Sequence, residues 1–109
     1  MDPQYPFDDL RSQTKATFFD RSELSQILSV YSRRVANGEW RDYAIDQRAG
    51  SAVFSVFRHS HDAPAFRIAK RRSGGERVYV VVSGRETLAR AETLREALAV
   101  FGGPLRVVS

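Results

Sequence analysis

The sequence predicts an α+β domain, an antiparallel four- to five-stranded meander with two helices packed on one face. Three observations lead there. Apolar residues recur at helical spacing up to Val35, the period changes to two from Trp40 onward, and the breaks between the alternating stretches are short enough to force antiparallel neighbours. A chain of 109 residues with 42% apolar content can bury about two-thirds of the surface its unfolded form exposes, enough for one core and not two.

Residues 1–16 hold two prolines, three aspartates and few aliphatics. They bury too little to offset the entropy of ordering and read as a flexible N-terminal tail, ahead of a single domain over 17–109. Asp20 opens the first helix as an N-cap, with Glu23 completing a capping box and Phe19 placed to staple onto Leu24. Leu24, Ile27, Leu28, Tyr31 and Val35 then fall on one helical face, and Gly38 is positioned as a left-handed stop.

Residues 41–47, 51–59, 65–72 and 76–83 alternate as strands, divided by Arg48-Ala49-Gly50, by residues 60–64 and by Ser73-Gly74-Gly75. Residues 86–91 form a possible fifth strand whose Glu, Arg and Ala content suits a helix almost as well. Thr93-Leu94-Arg95-Glu96 is a second capping box, opening a short helix through Phe101 that Gly102-Gly103-Pro104 ends. Leu105 to Val108 can add an edge strand.

Pairing Arg72 with Glu76 and His59 with Ala65 sorts the strand residues onto two faces. Phe54, Val56, Phe66, Ile68, Val78, Val80 and Val82, with Tyr43 and Ile45, make the expected core face. The opposite face then collects Val53, Phe57, Tyr79 and Val81 with Arg67, Arg71, Arg77 and Trp40. Aromatics interleaved with arginines are poor material for a solvated surface. The first reading is that the arginine stems lie over the rings and the tail or the chain ends cover the rest; if the face is instead open to a partner, Phe57, Arg67, Arg71, Arg77 and Tyr79 are the candidate binding residues. A second copy of the chain or another protein is the first choice of partner; nucleic acid, with bases stacked on Phe57 and Tyr79 and phosphates on the arginines, is the second. An RNA-recognition strand needs its aromatics on one face, and Phe54 and Phe57 are spaced to opposite faces.

The 17 cations against 13 anions invite the nucleic-acid reading, but all except Lys15 and Lys70 are arginine, a skew that a GC-rich coding sequence also produces. The absence of cysteine excludes disulfide scaffolds, thiolate nucleophiles and sulfur-ligated metal sites. His59, His61 and Asp62 lack a convincing third protein ligand, no phosphate-cradling glycine loop or nucleophile elbow is present, and Asp42 and Asp46 stand about 13 Å apart along a strand, too far to act as a paired acid and base. No catalytic residue, metal or cofactor is expected. The N-terminus carries no signal-peptide pattern and the longest apolar run is Val78 to Val82, so no membrane partner is expected and the cytoplasm is the default location.

Phe18-Phe19-Asp20-Arg21-x-Glu23-Leu24, Gly38-Glu39-Trp40-Arg41-Asp42-Tyr43-Ala44-Ile45-Asp46 and Ala52-Val53-Phe54-Ser55-Val56-Phe57-Arg58 together resemble a family of short bacterial proteins known as domain of unknown function 2794. The likeness is continuous from Thr17 to Lys70, weakens after it, and does not include the tail or the region after Arg85. It implies a cytoplasmic single-domain protein and brings no activity, cofactor or catalytic residue. Within it, Trp40 is expected to roof the helix–strand junction, with Arg41, Asp42 and Arg58 free to form a polar cluster beside it.

Overall fold

The computed structural model describes residues 17–102 except 49, 60, 61 and 74. The expected tail over 1–16, the Gly103-Pro104 stop, the edge strand at 105–108 and His61 lie outside the described residues. Helix α1 spans Arg21–Ala36, strands β1 to β5 span Asp42–Arg48, Ser51–Phe57, Phe66–Ser73, Glu76–Ser83 and Glu86–Ala91, and helix α2 spans Leu94–Leu98, continuing as a 3₁₀ turn over Ala99–Phe101. The five strands form one sheet in the order β1-β2-β3-β4-β5 with every neighbour antiparallel. The α+β meander is thus the fold, and 86–91 is strand.

The caps stand where the sequence places them. Glu23 N–H donates to Asp20 Oδ1 at 2.8 Å and Asp20 N–H to Glu23 Oε1 at 2.7 Å, a complete capping box. Asn37 and then Gly38, at φ +79°, close α1. Thr93 caps α2 by accepting from the Glu96 N–H at 3.2 Å, which is one half of the expected second capping box; the Glu96 side chain does not return the bond.

Both helices pack on one side of the sheet. Ile27 and Val30 from α1, and Leu94, Ala97, Leu98 and Phe101 from the α2 region, share a buried cluster with Ala52, Phe54, Val56, Ile68, Tyr79 and Val81. Phe54, Val56, Ile68 and Val81 are wholly buried, each such side chain stabilising the fold by about 1.5–3 kcal/mol. Trp40 joins this cluster against Tyr31, Phe66 and Phe101, with ring centroids 5.1–6.2 Å apart, and so roofs the junction; its placement with Phe57 and the arginines on the opposite face is not observed. Tyr43 and Ile45 are on the helix side too, Tyr43 stacked on Phe54 at 4.8 Å, but the edge position of β1 leaves them 41% and 44% exposed.

The strand faces need one correction. Strands β3 and β4 pair Ser73 with Glu76, so Ile68 lies opposite Val81 and Lys70 opposite Tyr79. The expected pairing of Arg72 with Glu76 is off by one residue, and a one-residue slip turns every β4 side chain over. Tyr79 and Val81 therefore face the helices, while Val78, Val80 and Val82 face away. Between β2 and β3 the expected His59–Ala65 pairing does not form either: Phe54 lies opposite Ile68 and Val56 opposite Phe66, with the Ala65 N–H donating to Val56 O at 2.7 Å. That displacement is an even number of residues and leaves the faces unchanged. On β5 a bulge places Val81 opposite Ala89 but Val82 opposite Thr87, and the extra residue, Leu88, packs with Ala89 and Ala91 against the core.

Candidate functional site

Two constellations stand out, one inside the domain and one on its surface. Inside, the Glu23 carboxylate does more than cap α1. It accepts from Lys70 Nζ at 2.8 Å through Oε1 and from the Tyr79 hydroxyl through Oε2, while Lys70 Nζ also donates to Phe18 O at 2.8 Å. Glu23, Lys70 and Tyr79 are each 5% exposed. Burial alone pushes the Glu23 carboxyl up, but the hydrogen bonds from Lys70, Tyr79 and the Asp20 N–H, with the Lys70 charge, outweigh it and hold the carboxyl below its ordinary value. Burial and the adjoining Glu23 carboxylate push the Tyr79 hydroxyl up to about 12, with Arg77 opposing weakly. The three groups are buried and bonded chiefly to one another. Their geometry ties the first turn of α1 to β3 and β4, fixing where the helix sits on the sheet.

The cluster was not legible as a site because Glu23 is fully accounted for by the capping box. One signal pointed to it. Lys70 is the single lysine of residues 17–109 in a chain otherwise using arginine, and strand alternation puts it on the same face as Phe66 and Ile68.

Outside, the sheet face turned away from α1 and α2 carries Ala44, Val53, Phe57, Ala69, Val78, Val80 and Val82, with Arg67 and Arg71 along β3 and Arg90 on β5. Asp42 and Asp46 line its β1 edge. Ala69 and Val80, at the centre, are 6% and 4% exposed, whereas Val53, Phe57, Val78 and Val82 are half-buried and the three arginines exposed. Of the candidate binding residues, Phe57, Arg67 and Arg71 share this face. Tyr79 does not: it lies under α1. Arg77 also belongs to the helix side, exposed and directly opposite Arg72. The reversed β4 thus exchanges Arg77, Tyr79 and Val81 for Val78, Val80 and Val82 and makes the face more apolar than the sequence suggested.

Other groups singled out in the sequence scatter. Arg58 lies 5.6 Å above the Phe66 ring, the Asp42 carboxylate accepts from the Tyr43 N–H at 2.8 Å and the Arg41 N–H donates to Phe57 O at 2.8 Å, so these three do not gather beside Trp40. It is Arg34 that stands there, near the Trp40 and Phe101 rings, bonded to Phe101 O and paired with Glu39 at 2.6 Å. Phe54 and Phe57 do fall on opposite faces. Two shallow hollows, one around Arg77, Val78, Arg90 and Glu92 and one along Leu24, Leu28 and Ser32 of α1, contain none of the groups with displaced titration, Glu23, Tyr31 and Tyr79. Among the described residues no cluster of three His, Asp or Glu side chains is placed to hold a metal, and no helix is long and apolar enough to cross a membrane.

These features define a small α+β module, a meander with one face under two helices and the other without one among the described residues. Residues 17–98, about three-quarters of the chain, match the family described as "Protein of unknown function (DUF2794)", and the protein belongs to that family. The match continues through β4, β5 and α2, past Lys70 where the resemblance fades in sequence. No curated protein and no solved structure matches the chain.

Proposed function

We propose that this protein is a non-enzymatic protein-interaction module whose binding surface is the helix-free sheet face. The observation that carries the reading is the set of half-buried apolar side chains Val53, Phe57, Val78 and Val82 around the buried Ala69 and Val80, framed by the exposed Arg67, Arg71 and Arg90. Apolar centres with arginine at the margin are the composition of protein interfaces. Strand addition at the sheet edges is disfavoured, because Asp42 occupies the Tyr43 N–H on β1 and the Leu88 bulge distorts β5.

Nucleic-acid binding is the second reading, and the strand register weighs against it. A stacking surface needs several aromatics on one face, and with Tyr79 under the helix Phe57 is the one aromatic among the described residues of this face. Photo-crosslinking tests both. With p-benzoylphenylalanine in place of Phe57, illumination of cells making the full chain is expected to give protein adducts, absent when the probe replaces exposed Arg95 on α2. Adducts that vanish on nuclease treatment would favour the second reading, and none above the Arg95 level would overturn both.

A further inference from the structure

The residue rows across the helix-free face identify the partner's chemistry. Resting on the reading of that face as the interaction surface, we propose that it packs against the same face of a second copy, about a two-fold axis running parallel to the strands between β3 and β4.

One row across the sheet reads Asp46, Val53, Ala69, Val80, Arg90. It has an acid at one end, a base at the other and apolar residues between. Rotation about the proposed axis sets β3 over β4 of the second copy and β2 over β5. Ala69 and Val80 lie at the axis but are already 6% and 4% exposed within one chain, so the half-buried Val53, Val78 and Val82 around them carry the apolar contact. Arg67 and Arg71 fall over Val82 and Val78 of the second copy, so their methylene stems cover apolar side chains and their guanidinium groups reach past them toward water. An axis on β3 itself would set Arg67 against Arg67 and Arg71 against Arg71, which like-charge repulsion disfavours.

The rims decide the pairing. Arg90 of each copy lies over Val53 of the other, one strand spacing, about 4.8 Å, from the other copy's Asp46. Sheets packed face to face stand about 10 Å apart with their strands nearly aligned, a gap that an arginine and an aspartate bridge together. The two-fold repeats the Asp46–Arg90 pair at both rims, and each residue is exposed in the single chain, so both are available.

Sedimentation equilibrium of the full chain tests this with Asp46→Arg, Arg90→Asp and the double exchange, each checked for an unchanged denaturation midpoint. The wild type is expected to dimerise. Each single reversal is expected to weaken the dimer about tenfold or more, and the double exchange to recover most of that loss. A double exchange no tighter than the singles would overturn the pairing. A dimer that ignores both charges but is lost in Val82→Glu would overturn this arrangement while leaving the face as the interaction surface. A wild type that stays monomeric at every concentration while Phe57 crosslinks to a different protein would overturn the second copy alone, and a monomer without crosslinks would remove both readings.

Discussion

Val81 and Val82 are neighbours in sequence and alike in chemistry, yet Val81 is wholly buried beneath the helices and Val82 is half-exposed on the other side of the sheet. The comparison extends to the two faces they belong to. The helix side holds Phe54, Ile68, Val81, the aromatic group around Trp40 and the Glu23–Lys70–Tyr79 network; the other side holds valines, serines and arginines with no described helix above them. The helix side holds most of the buried cluster, and the other side, apart from Ser55, Ala69 and Val80, is half-buried or exposed, so substitutions should separate the two by their effect on stability.

The largest effect is expected for Phe54→Ala, which removes a wholly buried ring from the centre of the helix side and should cost about 3–5 kcal/mol in denaturant unfolding. Against a total of about 5–15 kcal/mol, a loss below about 1 kcal/mol would contradict the assignment of faces. Lys70→Met comes close behind. It strands the Glu23 carboxylate and should cost about 3–5 kcal/mol, whereas Glu23→Gln combined with Lys70→Met leaves no buried charge and is expected to recover part of that loss.

The same network sets the pH range of stability. Glu23 titrates lower folded than unfolded, so its contribution is complete above the ordinary carboxyl value of 4.5 and is lost as pH falls through the folded value. Tyr79 titrates higher when folded, moving from 10.0 to about 12, so its contribution is complete below 10.0 and is lost as pH rises toward 12. Chemical unfolding across pH should show a plateau falling away at both ends. Tyr79→Phe is expected to reduce the alkaline decline to the part that Tyr31, also raised by burial, contributes, and to leave an acid decline behind.

The smallest effect belongs to the other face. Arg71→Ala, exposed on β3, should change stability by no more than about 0.5 kcal/mol.

What the sequence reveals follows from how each feature is encoded. The α1 cap is local, a carboxylate three residues from its partner, and Asp20 and Glu23 read directly. The alternation in β2 and β3 is unequal between faces, with Phe54, Val56 and Ile68 against Ser55, Arg67 and Arg71, so the pattern identifies the buried side even where the pairing partner is misjudged. Strand β4 is different. Val78, Tyr79, Val80, Val81 and Val82 are apolar on both faces, so periodicity cannot choose between them, and the choice falls to the length of one turn. Gly75, at φ +86°, serves a two-residue or a three-residue loop equally well, and only the pairing of Ser73 with Glu76 decides. The Lys70–Glu23 bond spans 47 positions and depends on that register, so it was out of reach of local patterns. Of the candidate site, Phe57, Arg67 and Arg71 were legible because β2 and β3 were, and Arg77 and Tyr79 were misplaced because β4 was not.

The register of β4 is therefore the claim on which the helix-free face stands, and the absence of cysteine from the chain allows it to be probed directly. Single Val81→Cys and Val82→Cys variants of the full chain, treated with a thiol reagent under native conditions, report which neighbour faces outward. Rapid labelling at position 82 with position 81 protected until the chain unfolds is the result expected here; rapid labelling at 81 with 82 protected would contradict it.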